Sequence, residues 1–355
     1  MSRDCEVSVV IGTYNRSAML AGALDNVLAQ HIDESRYEII VVDNNSRDST
    51  RQVVEGYIAR GHSNLRYVFE PRQGVSHARN SGVTRARAPI LAFTDDDVRV
   101  APDWISEIKR VFDEHPEVDF LGGRILPRWT TQPPAWLTRD HWWALALLDY
   151  GEEPFYVSAD KPLCLPTANA SFRSNVFRRF GLFSPDFSGR EDHEFLLRLW
   201  CGGSLGLYSP AIVVDAVVQP ERLKKAYQRT WNATTGKFNS LMRLNEIMGP
   251  DGRIVGEQPN LVTLFGVPGF VYRRLLGDGL SWLRASVLGD QAAAQRSNNG
   301  LWYFLGYIKR RYEQNSSNED RSSLVEITSF LKAMLRKKFG QRPSVSRTRL
   351  PEGLD

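Results

Sequence analysis

The chain has 355 residues, of which 42% are hydrophobic and 24% charged, enough to bury a full core and ordinary for a globular protein, so a fibrous or disordered chain is excluded. Formal net charge is +4 but unevenly placed: residues 256–355 hold 15 Lys/Arg against 9 Asp/Glu, leaving −2 for residues 1–255. That excludes a nucleic-acid-binding main domain and confines the basic excess to the C-terminal third.

Residues 7–12, Val-Ser-Val-Val-Ile-Gly, form a first strand, rich in β-branched residues and stopped by Gly12. The polar loop Thr13-Tyr14-Asn15-Arg16-Ser17 follows, with Ser17 placed to cap a helix through Leu20, Leu24, Val27 and Leu28. A second strand, Tyr37 to Val42, ends in Asp43-Asn44-Asn45-Ser46 and leads to a helix from about Ser49 to Ala59. A third strand, Leu65 to Phe69, precedes a helix that starts near Ser76-His77-Ala78-Arg79 and reaches Ala86. The apolar run Ile90–Phe93 then stops abruptly at Asp95-Asp96-Asp97. This alternation predicts right-handed crossovers in an α/β fold with a mostly parallel sheet.

In such sheets ligands sit beyond the carboxyl ends of the strands. Thr13, Asp43 and the Asp95–Asp97 triplet all lie at such ends. Adjacent carboxylates repel unless a cation or tight hydrogen bonding compensates. An Asp-x-Asp delivered by a strand suits Mg²⁺ or Mn²⁺ holding a diphosphate, since hard oxygen ligands favour these ions. A bare triplet is equally a solvated acidic loop, and only the convergence of three polar strand ends favours the site. No Gly-x-Gly-x-x-Gly follows the first strand and no phosphate-binding Gly-x-x-x-x-Gly-Lys-Ser/Thr occurs, which disfavours dinucleotide and P-loop sites.

Four segments together resemble the family 2 glycosyltransferases of GT-A fold: Val9–Arg16, Val41–Ser46, Ala78–Gly82 and Phe93–Asp97. The resemblance covers roughly residues 7–215. It implies inverting transfer of a sugar from a UDP-, GDP- or dTDP-linked donor to an acceptor hydroxyl. Thr13, Tyr14, Asn15, Asp43, Asn45, Arg79, Asp95 and Asp96 would then meet the nucleotide donor, Asp43 accepting from the base ring and Arg79 meeting phosphate. Asp95 and Asp97 would meet the metal. The triplet leaves open which two carboxylates do so, Asp97 being preferred.

Residues 118–128 read as a strand whose paired Gly122-Gly123 allow close backbone approach, either near the donor sugar or as a simple bend. Trp129, Trp136, Trp142, Trp143 and Tyr150 follow, interrupted by Pro133-Pro134. They suit a sugar-stacking lid or plain packing onto the core. Gly189-Arg190-Glu191-Asp192-His193 opens a helix, where acidic residues are favoured by the helix dipole alone. The resemblance implies more: Asp192 as general base, with Glu191 orienting the site. His193 stays outside the metal set.

Beyond about Pro220 the α/β alternation stops. Helices are predicted over Tyr227–Met248, broken only at Gly236, and over Phe265–Leu288, Leu301–Tyr312 and Leu324–Phe339. They are amphipathic and basic, suited to an anionic membrane or to packing on the protein itself. The expected organisation is a catalytic domain at 1–220, a helical region at 221–340 and a tail at 341–355. Cys5, Cys164 and Cys201 form neither a disulfide framework nor a zinc site. With a start that runs directly into a strand and no apolar run long enough to span a bilayer, they point to the cytoplasm, in peripheral contact with the membrane at most. The acceptor would be a glycan or a lipid-linked sugar. Competing readings are a sugar-nucleotide pyrophosphorylase, which should show a Gly-rich, Arg-containing loop after the first strand, and a binding module without turnover.

Overall fold

The computed structural model describes residues 5–187, 189–249, 251–256 and 262–316. The predicted helix at 324–339 and the tail at 341–355 lie outside them. In chain order the first half runs β1 (Val7–Thr13), α1 (Ser17–Leu28), β2 (Tyr37–Asp43), α2 (Thr50–Ala59), β3 (Leu65–Phe69), α3 (Val75–Arg85) and β4 (Ile90–Asp95). β2 is buried along its whole length, as expected of a parallel strand covered on both faces. β3, β2, β1 and β4 lie side by side and parallel. Their register pairs Thr13 with Asp43 and Gly12 with Asp95, which aligns the three polar strand ends along one edge. Ser17 begins α1 but does not cap it with its own hydroxyl; its N–H donates to Asp48 Oδ2 at 2.9 Å, so the cap comes from the loop after β2.

The second half supplies β5 (Val98–Val100), α4 (Trp104–Glu114), β6 (Phe120–Trp129), β7 (Phe155–Val157), β8 (Asn169–Arg173), α5 (Ser174–Phe180), α6 (Glu191–Cys201) and β9 (Gly206–Val218). β8 sits antiparallel between β4 and β6, β6 runs parallel to β9, and β5 and β7 pair antiparallel with β9. The nine-stranded sheet is thus parallel in its first half and mixed in its second. Gly122-Gly123 marks a register shift between β6 and β9. A Cβ at Gly123 would collide with the Ile212 carbonyl and one at Gly122 with Leu165, so close packing requires both glycines. Asn169 locks this bulge, donating to the carbonyls of Arg124 (2.8 Å) and Ile212 (3.0 Å) and accepting from Trp104 Nε1 (2.8 Å). Two of the aromatics between β6 and β7 are packing residues. Trp136 is buried edge-on to His141, and Trp143 stands edge-on to Trp231 of the following helix.

After β9 come α7 (Lys225–Leu241), α8 (Leu244–Ile247), a small hairpin of β10 (Thr263–Leu264) and β11 (Val267–Pro268), then α9 (Gly269–Val287) and α10 (Gln291–Ser316). The single helix predicted over 227–248 is interrupted at Arg243, whose φ is 54°, and continues unbroken through Gly236. Gly236 is instead the point where α10 crosses: a Cβ there would strike the Tyr303 carbonyl, and one at Gly306 the Ala233 carbonyl. Val267, Val271, Phe304 and Tyr307 form a small core of their own, separate from the core around the sheet.

Gly236→Ala or Gly306→Ala is expected to cost about 1–3 kcal/mol by forcing the crossing apart. Gly277→Ala, on α9 with open space around it, should instead gain up to about 1 kcal/mol of helix propensity. Urea unfolding of the three variants checks both signs.

Candidate active site

The β1 and β4 ends are joined through side chains. Thr13 Oγ1 donates to Asp96 Oδ2 at 2.8 Å, and Arg16 Nη1 bridges Asp96 Oδ1 (3.0 Å) and Asp97 Oδ2 (3.2 Å). Arg222, just beyond β9, brings Nη1 to 3.9 Å from Asp97 Oδ2 while donating to the Leu145 carbonyl (2.6 Å) and to the Tyr227 hydroxyl (3.2 Å). Burial pushes the Asp96 carboxyl up to about 6 against the pull of Arg16, and the charge of Asp97 adds to the rise. Burial and the charge of Asp95 raise Asp97 as well. Carboxylates held this close in a dry strand end favour any additional cation.

Arg79 is buried on α3 and forms ion pairs with Glu191 and, at 3.4 Å, with Asp95. It therefore fastens the first turn of α6 to the end of β4. Glu191 is buried too, and burial raises its carboxyl; its Oε2 accepts from the Gly189 N–H at 2.7 Å. Asp192, half-buried beside it, accepts from the His193 N–H through Oδ1 at 2.7 Å. Arg190 is buried under α7, its guanidinium 3.9 Å from the Trp231 ring centroid and 5.7 Å from that of Trp143, with a hydrogen bond to Thr235. Burial and Arg190 push His193 down to about 4, so the imidazole is neutral at pH 7; its Nδ1 has no hydrogen-bond partner among the described residues and its ring lies edge-on to Trp200. Asp95, Asp96, Asp97, Glu191 and Asp192 thus share the charges of Arg16, Arg79, Arg99, Arg190 and Arg222.

Two clefts open on this cluster. The first, about 380 Å³, is lined by Gly12, Thr13, Tyr14, Arg16, Asn44, Gln73, Gly74, Val75, Ala78, Arg79, Asp95 and Asp96. The second, about 460 Å³, is lined by Arg16, Asp95, Asp97, Val98, Leu145, Ala146, Ala168, Ala216, Gln219, Glu221, Arg222 and Tyr227. They share Arg16 and Asp95. Of the residues expected at a donor, Thr13, Tyr14, Arg79, Asp95 and Asp96 line the first cleft, and Asp97 lines the second.

The others stand behind these walls. Asp43 is buried, its Oδ1 accepting from the Ser46 N–H and its Oδ2 from the Tyr67 hydroxyl, both at 2.8 Å. Asn15 and Asn45 have φ of 52° and 66°, a region asparagine tolerates better than most residues. Asn15 accepts from the Arg47 N–H and Asn45 donates to the Pro71 carbonyl, so both tie loops together. Arg79 lines the first cleft with its charge already matched by two carboxylates, which makes it an organiser of the acidic cluster before it is a phosphate ligand.

Sequence reading did not single out Arg16, Asn44, Gln73 or Arg222 as site residues. Arg16 and Asn44 stand inside the strand-end segments and were reachable by the same topological rule. Gln73 and Arg222 carry no local signal; chain folding alone brings them to the clefts.

Because Asp96 is raised to about 6 in the folded chain against 3.8 for a free aspartate, its contribution to stability is complete below about pH 4. It is lost as pH rises through about 6. Relative to wild type, Asp96→Asn is therefore expected to gain up to about 3 kcal/mol between pH 4 and 7, read by urea unfolding in metal-free buffer. Arg79→Met strands Glu191 in the interior and should cost about 3–5 kcal/mol, with partial recovery in the Arg79→Met/Glu191→Leu double variant.

Comparison with known proteins places this geometry. Residues 8–181 match the profile described as Glycosyl transferase family 2. The validoxylamine A glucosyltransferase of Streptomyces hygroscopicus subsp. limoneus is 39% identical over 104 residues, 29% of this chain and 22% of that protein. The succinoglycan biosynthesis protein ExoM of Rhizobium meliloti is 29% identical over 232 residues, 62% of this chain and 70% of that protein. This chain therefore spans only about a fifth of the first relative and under three quarters of the second. Among solved structures, the mannosyltransferase PcManGT of Pyrobaculum calidifontis, in complex with GDP-Man and Mn2+, superposes with a TM-score of 0.57 at 18% identity, covering 90% of this chain and 89% of that one. The fold expected from the sequence is the fold observed, and residues 8–181 form a glycosyltransferase family 2 domain in the GT-A architecture.

Proposed function

We propose that the chain is an inverting, metal-assisted sugar transferase that moves a sugar from a nucleotide diphosphate to an acceptor hydroxyl of a glycan or lipid-linked saccharide. The observation that carries this reading is the meeting of the two clefts at Asp95 and Arg16. The nucleotide occupies the first cleft, between Tyr14 and the Asn44–Gly74 wall. Asn44 fixes that wall, its Oδ1 accepting from the Gly74 N–H at 2.8 Å. The diphosphate reaches the Asp95–Asp97 edge, the sugar enters the second cleft, and the acceptor hydroxyl approaches from the first turn of α6, where Asp192 stands. The sheet and α1–α6 carry the chemistry, and the described helices after residue 220 form a helical region apart from it.

The residues present fit a divalent cation. Asp95 and Asp97 both line the second cleft and are hard oxygen donors. Among the described residues no group of three or more Asp, Glu, His or Cys is gathered as a metal site. The carboxylates would therefore share Mg²⁺ or Mn²⁺ with phosphate oxygens and water, as these ions prefer. When bound, the ion would offset charge developing on the departing diphosphate. The Mn2+ and GDP-Man of PcManGT support both assignments, and ExoM's name supports polysaccharide assembly.

The proton goes to Asp192. As the acceptor oxygen bonds to the anomeric carbon, the bond to the diphosphate breaks, its electron pair leaves with the nucleoside diphosphate, and Asp192 takes the hydroxyl proton. A single displacement inverts the anomeric centre. Glu191, held by Arg79, fixes the turn that carries Asp192. The reaction is assigned to the cytoplasm.

Binding titrations with UDP-, GDP- and dTDP-sugars in Mn²⁺, Mg²⁺ or chelator test the donor and metal assignments. One donor class should bind with metal and weaken at least tenfold in Asp97→Asn. Absence of binding to every nucleotide sugar under all metal conditions would overturn the reading.

A further inference from the structure

Helix α9 carries two apolar faces. Val271 and Ala285 on one side are buried. On the other, Leu276, Leu280, Leu283 and Val287 repeat at i, i+4, i+7 and i+11 and are 68%, 70%, 54% and 86% exposed. The spacing makes one stripe along the helix, roughly 17 Å long at 1.5 Å per residue. A continuous apolar stripe of this kind on a surface marks a contact with another phase or molecule.

Charge decides what covers it. The charged residues of α9 are Arg273, Arg274, Asp278 and Arg284. Asp278 points at α10, where a Cβ on Gly300 would collide with its carboxylate, and burial raises its carboxyl. The three arginines are exposed, and at 100° per residue Arg273 and Arg284 lie along one edge of the stripe. A second copy related by a two-fold axis would set arginines against arginines. The chain's own 324–339 segment carries Lys332, Arg336, Lys337 and Lys338 against Glu326, which again opposes like charges. An occupant that is both apolar and anionic meets neither objection.

The geometry points to the outer face of α9 as a docking surface for an anionic lipid bilayer: Leu276, Leu280, Leu283 and Val287 enter the acyl boundary and Arg273 and Arg284 meet the headgroups. The helix lies in the interface plane and does not cross it; no described helix is long and apolar enough to span a membrane. This inference does not depend on the transferase reading.

Co-sedimentation of the full chain with vesicles of phosphatidylcholine alone, or of phosphatidylcholine with phosphatidylglycerol, tests it. Wild type should bind the anionic vesicles, and added salt should release it. Leu280→Ser/Leu283→Ser/Val287→Ser should abolish binding, and Arg273→Gln/Arg284→Gln should weaken it roughly 30-fold. Because all five positions are exposed, unchanged thermal unfolding serves as the folding control. Failure of wild type to bind anionic vesicles, or full retention by the stripe variant, would overturn the proposal. So would a concentration-dependent dimer that the stripe variant abolishes while wild type ignores vesicles; the face would then belong to a second copy.

Discussion

The buried ion pairs of Arg79 hold the catalytic half together. Asp95 comes from the end of β4 and Glu191 from the start of α6, elements far apart in sequence, and one guanidinium on α3 meets both. Without it, Glu191 would be left as a buried carboxylate with no compensating cation, at a cost of several kcal/mol. With it, the acidic strand end and the helix that carries Asp192 become one rigid unit. Arg16 and Arg222 repeat the device on the solvent side, where both approach Asp97. The arginines let an acidic cluster persist at the sheet edge.

Parallel register does the remaining positioning. Thr13 opposite Asp43 and Gly12 opposite Asp95 follow from the pairing of β1 with its two neighbours, so the alignment costs no special loop conformation. The mixed half supplies the second cleft: β8 and β6 are held by Asn169 and the Gly122-Gly123 bulge, and β9 ends where Arg222 can turn back. Arg190, stacked between Trp231 and Trp143, links that half to α7. The C-terminal helices are thus coupled to the first turn of α6 as well as to one another.

Much of this was legible in the sequence, because β-branched runs ending in polar clusters specify strands and strand ends almost independently of context. The alternation from Val7 to Asp95 is of this kind, as are the positions of Thr13, Asp95, Asp96 and Asp97 at the clefts. What stayed hidden depends on tertiary closure. Asp43, Asn15 and Asn45 carry the same polar signature as true cleft residues, but their side chains turn to Tyr67, to a backbone N–H and to a carbonyl. Arg79 looked like a phosphate ligand because the carboxylate that neutralises it is 112 residues away. Gly236 looked like a helix breaker because the α10 backbone that requires it comes much later in the chain. Arg222 had no local signal at all, since its partner Asp97 stands 125 residues earlier in the chain.

The most direct test of the chemistry is the steady-state turnover of a bound donor by wild type and by Asp192→Asn, with donor affinity measured on the same samples. Removal of a positioned general base should lower turnover by about 10²–10⁴-fold while donor affinity stays within a factor of about 2, because Asp192 lines neither cleft. Turnover equal to wild type, or an affinity loss that accounts for the whole defect, would contradict the assignment of the proton to Asp192.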